Sequence, residues 1–144
     1  MAGILINGAG DCCSLQWRGD RLRLESWKAA QSQGAHAAAA LLGQSHPCIS
    51  VPRFWSDQYD LPLYVIGLFD PLCPVSTRGS SAQTSLVFQQ DASDRVQAAA
   101  GIGPGNGIAK GISIFEKLSG RQASHDPSAL ADPSENLKRL LKAA

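Results

Sequence analysis

Residues 54–60 of this 144-residue chain read FWSDQYD. Two adjacent aromatic rings stand there against a cluster of polar groups, between Pro52 and a strand-like run. Composition alone does not account for the stretch, because aromatic residues make up only 6% of the chain. We expect Asp57 and Gln58 to hold a turn through local hydrogen bonds rather than to take part in chemistry. The stretch therefore predicts a turn that leads into a strand.

The segments that follow predict an antiparallel sheet. Residues 61–68 form a strand-like apolar run. Residues 71–81 are rich in Pro, Ser and Gly, which predicts a loop with one weak strand. Two further β-like runs, at residues 84–90 and 95–101, are separated by the turn sequence Asp-Ala-Ser-Asp, so they predict a hairpin.

Upstream of the motif, the sequence predicts a strand, a loop and a helix. Residues 3–6 form a short apolar run that ends in a Gly-rich turn, and a polar loop follows through Asp20 before a short extended piece. Ser26 is a suitable N-cap and Gly43 a suitable stop for a helix over residues 26–42. Its small and apolar residues recur at helical spacing: Trp27, Ala30, Gly34, Ala37, Ala38, Leu41 and Leu42. A helix face with such small side chains needs a large surface to pack against, and this chain offers few residues to form one.

Helices are predicted again after the last β-like run. Asn106 is a candidate N-cap for a helix that ends near residue 118. Its apolar face is formed by Ile108, Ile112, Phe115 and Leu118. The tail has a short helical turn at residues 127–131, followed by an apolar and basic segment at residues 136–142.

The order of these elements predicts an α+β fold with two parts. Residues 46–144 are expected to form an antiparallel sheet with helices on one face. Residues 1–45 are expected to contribute a strand and a helix of an α/β layer, and residues 44–47 read as the linker. No internal repeat is present.

Composition excludes several classes of function. The net charge of +1 gives no basic field for nucleic acid or an acidic membrane. No apolar run approaches the roughly 18 residues of a membrane span. The first residues lack the basic region and the long apolar run of a signal peptide, so we predict a cytoplasmic protein.

The cysteines and histidines do not form a recognisable site. Cys12, Cys13, Cys48 and Cys73 contain no C-x-x-C pair and no zinc-type spacing. We therefore predict reduced thiols that act as small buried hydrophobes. His36, His46 and His125 are far apart in sequence, and surface positions without a metal or acid–base role are expected.

Three motifs together resemble one protein family. They are Gly10-Asp11 after the first strand, Glu25-Ser26-Trp27 at the start of the first helix, and VPRFWSDQY at residues 51–59. In this combination the chain resembles the FAD-dependent NAD(P)H:ferredoxin reductases that serve bacterial Rieske-type oxygenases. The similarity continues through the Gly-rich residues 101–106 and the acidic, Pro-containing residues 126–133.

The resemblance implies that this chain contributes flavin contacts. The carboxylate of Asp11 would accept a hydrogen bond from a ribityl hydroxyl of FAD, and Gly10 would let the backbone approach the ligand. Glu25, Ser26 and Trp27 would lie beside the isoalloxazine ring, where the helix N-terminus favours the electron-rich reduced flavin. Trp55 would close the flavin pocket, so the predicted cofactor-binding residues are Gly10, Asp11, Glu25, Ser26, Trp27 and Trp55.

The resemblance also implies a 2Fe–2S ferredoxin as partner. The aromatic motif lies near the ferredoxin in the family, but Arg53 stands where the family usually has Trp. We expect that Arg53 could pair with an acidic ferredoxin surface instead. The chain lacks both G-x-G-x-x-G units of a complete reductase, since the run after Gly101 and Gly103 has Asn106 where the third Gly would stand.

Three hypotheses of function follow. The chain is expected to match about the last third of a reductase, without the N-terminal FAD and NAD(P)H domains. It would then be a fragment that is inactive alone and does not retain FAD. The position of Met1 is equally compatible with a false start, a frameshift product and a chosen domain boundary. The alternatives are a free-standing, non-catalytic module that binds a ferredoxin or reductase, and a decayed remnant. The apolar face of the first helix favours the fragment.

Overall fold

The computed structural model describes residues 8–44 and 50–143. The chain divides into two compact units, Met1–Pro52 and Arg53–Ala144. This boundary lies later than the predicted division after residue 45. The strand predicted at residues 3–6 and most of the predicted linker at residues 44–47 lie outside the described residues.

The described part of the first unit begins with a β-hairpin. Strand β1 (Ser14–Trp17) pairs antiparallel with β2 (Asp20–Arg23). Arg18 and Gly19 join them with φ values of 51° and 94°, as a tight two-residue hairpin turn requires. The predicted polar loop through residue 20 is therefore wrong at Ser14–Trp17, which form a strand. The left-handed backbone at Arg18 and Gly19 reverses the chain, so that β2 pairs with β1.

Helix α1 (Trp27–Leu41) follows the hairpin and has the predicted ends. The Ser26 side chain accepts a hydrogen bond from the Ala29 N–H at 3.3 Å, and Gly43 has a φ of 76° just after the helix. The buried residues of α1 are Ala29 and Gln33. The predicted apolar face is largely exposed, with Leu41 at 71%, as expected for a face that this chain offers little to cover.

The second unit is built on a five-stranded antiparallel sheet. Its strands are β3 (Arg53–Gln58), β4 (Leu61–Gly67), β5 (Ser76–Ser80), β6 (Ser85–Gln90) and β7 (Val96–Ile102). Their order in the sheet is β3-β4-β7-β6-β5. The last strand thus lies in the middle, and β3 and β5 form the two edges.

The aromatic motif lies on β3 rather than in a turn. Residues 53–58 pair with β4, and the connection at Tyr59 and Asp60 carries the reversal, with a φ of 58° at Tyr59. The predicted turn is therefore displaced toward the end of the motif, because cross-strand pairing with the apolar β4 recruits residues with little strand preference of their own. The expected local hydrogen bond is present, from Gln58 Nε2 to Ser56 Oγ at 2.8 Å.

Helix α2 (Gly107–Arg121) covers one face of this sheet. Its buried side chains include the predicted Ile108, Ile112, Phe115 and Leu118. The rings of Phe115 and Phe88 on β6 stack with centroids 5.3 Å apart. Asn106 occupies the N-cap position as predicted, but its side chain makes no capping hydrogen bond.

Two short helices complete the unit and confirm the α+β class. Helix α3 (Pro127–Ala131) packs against β5, and α4 (Leu137–Ala143) packs against α2. The Arg78 guanidinium on β5 donates to three main-chain carbonyls of the α3–α4 segment: Leu130 at 2.8 Å, Asp132 at 2.5 Å and Glu135 at 2.6 Å. One side chain thus ties the edge of the sheet to the tail.

Candidate functional site

Gly10 and Asp11 form a tight turn in the first unit. Gly10 has a φ of 86°, which favours glycine, and its carbonyl accepts from the Cys13 N–H at 2.9 Å. A methyl group added at Gly10 would meet no atom of the described residues within 4 Å, so these residues leave the space beside the turn open. The Asp11 side chain is exposed. An exposed carboxylate is a strong hydrogen-bond acceptor, and binding of a ligand hydroxyl by Asp11 stays a prediction.

A residue that the sequence did not point to holds this turn. Gln33 on α1 accepts the Gly10 N–H through Oε1 at 2.8 Å. Its side chain is only 5% exposed, and among the described residues its Nε2 has no hydrogen-bond partner. A glutamine within an alanine-rich helix carries no sequence signal for this contact, which spans 23 positions.

Glu25, Ser26 and Trp27 lie at the N-terminus of α1. The Glu25 carboxylate pairs with the Arg23 guanidinium at 2.5 Å on the protein surface. Ser26 is the N-cap, and Trp27 is the first residue of the helix with 66% of its surface exposed. The first turn of α1 carries no acidic residue, and the Glu25 carboxylate just before the cap is paired with Arg23.

Trp55, the remaining predicted site residue, belongs to the second unit. Its ring is 37% exposed and lies opposite Tyr64 across the β3–β4 pair. Residues two apart on a strand share a face, so Trp55 lies on the same face of β3 as Arg53. That face is the one that α2 covers, because Arg53 reaches Glu116 on this helix. The other five predicted residues belong to the first unit.

Arg53 is engaged within the second unit. Its Nη1 lies 2.5 Å from Glu116 Oε2, and both side chains are about three-quarters buried. The guanidinium is thus paired with a carboxylate of the same chain. The expectation that it faces an acidic partner stays a prediction, and such a partner would compete with Glu116.

The cysteines depart from the prediction of buried hydrophobes. Cys12 is exposed, Cys13 and Cys73 are half-buried, and all three are free thiols. The prediction is wrong for these three because each lies in a turn or loop, whereas Cys48 is outside the described residues. Cys73 Sγ donates to Asp70 Oδ2 at 3.4 Å, and this hydrogen bond to a carboxylate raises the pKa of the thiol. Among residues 8–44 and 50–143, no cluster of potential metal ligands was found.

His125 departs from the prediction of surface histidines. It is 8% exposed, and burial lowers the pKa of its imidazole. Its main chain is held against the β6–β7 hairpin, since its N–H donates to the Asp94 carbonyl at 2.9 Å and its carbonyl accepts from Gln90 Nε2 at 2.7 Å. The surface prediction is therefore wrong here, because long-range pairing buries the segment. His36 is half-buried and His46 lies outside the described residues.

No helix within the described part of the chain is long and apolar enough to cross a membrane.

Comparison with known proteins defines the class. The chain is 38% identical over 124 residues to the ferredoxin–NAD(+) reductase component of the anthranilate 1,2-dioxygenase system of Burkholderia cepacia, covering 85% of this chain and 30% of the relative. It superimposes on the ferredoxin reductase for the CYP199A2 system of Rhodopseudomonas palustris with a TM-score of 0.81 and 29% identity, over 92% of this chain and 32% of that one. The covalent putidaredoxin reductase–putidaredoxin complex gives a TM-score of 0.79 and 30% identity, over 94% and 32%.

These matches are ferredoxin reductases, and this chain spans about a third of their length. The family described as Reductase C-terminal matches residues 53–141, nearly the whole second unit. The chain belongs to this family. The resemblance to ferredoxin reductases of dioxygenase systems and the α+β fold are thereby confirmed.

Proposed function

We propose that this chain is a part of an FAD-dependent NAD(P)H:ferredoxin reductase that passes electrons to a 2Fe–2S ferredoxin feeding an oxygenase. The observation that carries this proposal is the extent of the similarity to the anthranilate dioxygenase reductase component. That alignment covers 124 residues, whereas the family match covers only 53–141, so the similarity reaches well into the first unit. Sequence similar to both units therefore occurs in one chain, and that chain is a reductase component.

The first unit would supply those FAD contacts that come late in the sequence of a complete reductase. The space that the described residues leave open at Gly10 and the exposed Asp11 carboxylate suit a ribityl hydroxyl, and the positive end of the α1 dipole suits the electron-rich end of a reduced flavin. The exposed Trp27 ring offers an apolar surface for an aromatic ligand. Bound FAD would accept a hydride from NAD(P)H and release single electrons. The residues of this chain would bind and orient it.

The second unit would provide the ferredoxin-facing domain. Trp55 on the edge strand β3 presents a partly exposed ring, which is suited to closing a flavin pocket or to lying under a docked protein. We propose the remaining FAD- and NAD(P)H-binding domains of a reductase as the further partner, and the cytoplasm as the location. The assignment of residues 1–45 to an FAD-binding domain and of residues 46–144 to a reductase C-terminal domain is part of this proposal.

The isolated chain is expected to be inactive. It would neither retain FAD nor oxidise NADH, because it lacks both dinucleotide-binding units. The exposed apolar residues at the end of α1, Leu41 and Leu42, should also promote self-association. Purified protein with stoichiometric flavin absorbance would contradict the fragment hypothesis and favour a self-sufficient module.

A hybrid enzyme provides the direct test. The full chain would replace the matching third of the Burkholderia anthranilate dioxygenase reductase component, with FAD content and NADH-dependent ferredoxin reduction as readouts. We expect both to be restored. Asp11→Ala should lower FAD affinity about 10- to 100-fold, because a hydrogen bond to a charged acceptor is lost. The exposed Asp20→Ala is the matched control and should change neither readout. A hybrid that folds but binds no FAD would contradict the proposal.

A further inference from the structure

Gln33 is the one buried polar side chain of α1. It lies 5% exposed on a helix whose other buried residue is Ala29. Burying an amide costs free energy unless its hydrogen bonds are replaced. Only half of this side chain is satisfied among the described residues, since Oε1 has a partner and Nε2 has none. A residue that packs merely to fill space would be apolar at this position.

The satisfied half reaches the turn that precedes Asp11. Gln33 Oε1 accepts the Gly10 N–H at 2.8 Å, and the Gly10 carbonyl accepts the Cys13 N–H at 2.9 Å. Both main-chain polar groups of Gly10 are therefore fixed, one by the turn itself and one by α1. Glycine has more backbone freedom than any other residue unless contacts of this kind restrict it. The hydrogen bond from Gly10 to Gln33 thus fixes the backbone position at the next residue, Asp11.

We propose that Gln33 is a positioning residue that holds the Gly10–Asp11 turn in the geometry required for the Asp11 carboxylate to bind a ligand hydroxyl. This inference rests on the proposed function, in which that ligand is FAD. Gln33 is only 5% exposed, so it would act on the ligand through the turn rather than by direct contact.

The contact is tested first in the full chain alone. Hydrogen exchange of the Gly10 amide would be followed by NMR in the wild type and in Gln33→Met, which keeps the length of the side chain but removes the acceptor. We expect exchange at Gly10 to become about tenfold faster, since one hydrogen bond is lost. Gln33→Glu keeps an acceptor at the same distance and should retain slow exchange. Gln31→Met, at an exposed position of the same helix, is the control and should not change it.

Gln33→Asn guards against a fold defect. It keeps the amide but is one methylene too short to reach Gly10, so it should reproduce the faster exchange if Gln33→Met does not fold. Unchanged exchange at Gly10 in a folded Gln33→Met or Gln33→Asn protein would overturn the inference.

The role in ligand binding is tested in the hybrid enzyme. Gln33→Met should weaken FAD binding about tenfold, and Gln33→Glu should restore it to within about threefold of wild type. A merely structural role would lower the melting temperature of all variants without this rescue, and that result would overturn the inference. If the wild-type hybrid binds no FAD, the proposed function fails and the positioning role fails with it, whatever the Gly10 exchange shows.

Discussion

The two units of this chain differ in how much of themselves they bury. The second unit contains side chains with no exposed surface from its sheet and two of its helices, among them Ile66, Phe88, Val96, Ile112, Phe115, Leu118 and Leu130. In the described part of the first unit, the buried residues are Trp17, Ala29, Gln33 and Pro52. Its largest apolar side chains on α1 are exposed, with Trp27 at 66% and Leu41 at 71%.

This difference indicates that the units depend on different sources of stability. The second unit has a hydrophobic core of its own, as an independently stable domain requires. The first unit has a well-capped helix and a hairpin with little apolar surface buried between them, and short helices gain most of their stability from tertiary packing. We therefore expect the second unit to unfold cooperatively and the first to contribute little.

The largest expected effect is the loss of the aromatic stack. Phe115→Ala should lower the free energy of unfolding of the second unit by about 3–5 kcal/mol, because it leaves a cavity against Phe88. Leu41→Ala in the first unit should change stability by less than about 0.5 kcal/mol, since this side chain is already exposed. Urea denaturation followed by circular dichroism measures both. Equal losses would contradict the contrast between the units.

The same substitution should have opposite signs in the two units. Gly67→Ala should destabilise the second unit by about 2–4 kcal/mol, because φ is 69° and the new methyl would overlap the Gln97 carbonyl. Gly34→Ala should stabilise α1 by about 0.5–1 kcal/mol, since a methyl there meets no atom of the described residues within 4 Å. Thermal denaturation of the second unit and helix content of the first are the readouts. A stabilised Gly67→Ala protein would refute the assigned backbone.

Two ion pairs of equal length give a third comparison. Arg53–Glu116 and Arg23–Glu25 are both 2.5 Å long, but only the former is largely shielded from water. Double-mutant cycles with Arg→Met and Glu→Gln should give a coupling of about 1 kcal/mol for Arg53–Glu116 and nearly none for Arg23–Glu25.

If Arg53 instead serves an acidic ferredoxin, Arg53→Met should weaken ferredoxin binding by the hybrid enzyme at low salt; equal binding would count against that role.

The smallest expected effect depends on pH. Burial lowers the pKa of His125 in the folded state, so below pH 6.5 the unfolded state binds more protons and the second unit loses stability. The loss should continue until the pH reaches the lowered pKa. His125→Leu should flatten this dependence between pH 7.5 and pH 5, as measured by urea midpoints. His36→Leu in the first unit is the control, and a profile that stays steep in His125→Leu would refute the assignment.

Features set by local sequence could be predicted. The caps of α1 at Ser26 and Gly43 and the hairpin turn at residues 91–94 depend on residues within a few positions. The buried face of α2 follows from the spacing of its apolar residues. The α+β class then follows from the order of the elements.

Features set by distant contacts could not be predicted. β3 is a strand because it pairs with β4, although Ser56 and Asp57 have little strand preference. His125 is buried because its segment pairs with the β6–β7 hairpin. In the candidate site, motifs pointed to Gly10 and Asp11, whereas Gln33 emerged only from a hydrogen bond across 23 positions.

The hydrogen bonds from Arg78 to the α3–α4 segment can form only late in the synthesis of the chain. The three acceptors of Arg78 lie 52 to 57 residues later in the chain, on residues 130–135. Until the ribosome has released that segment, the guanidinium can only be hydrated, and the β5 edge of the sheet remains available to other strands. A nascent chain paused before residue 130 therefore lacks this contact and exposes an edge strand to strand-mediated aggregation, and a chaperone that covers β5 would protect it.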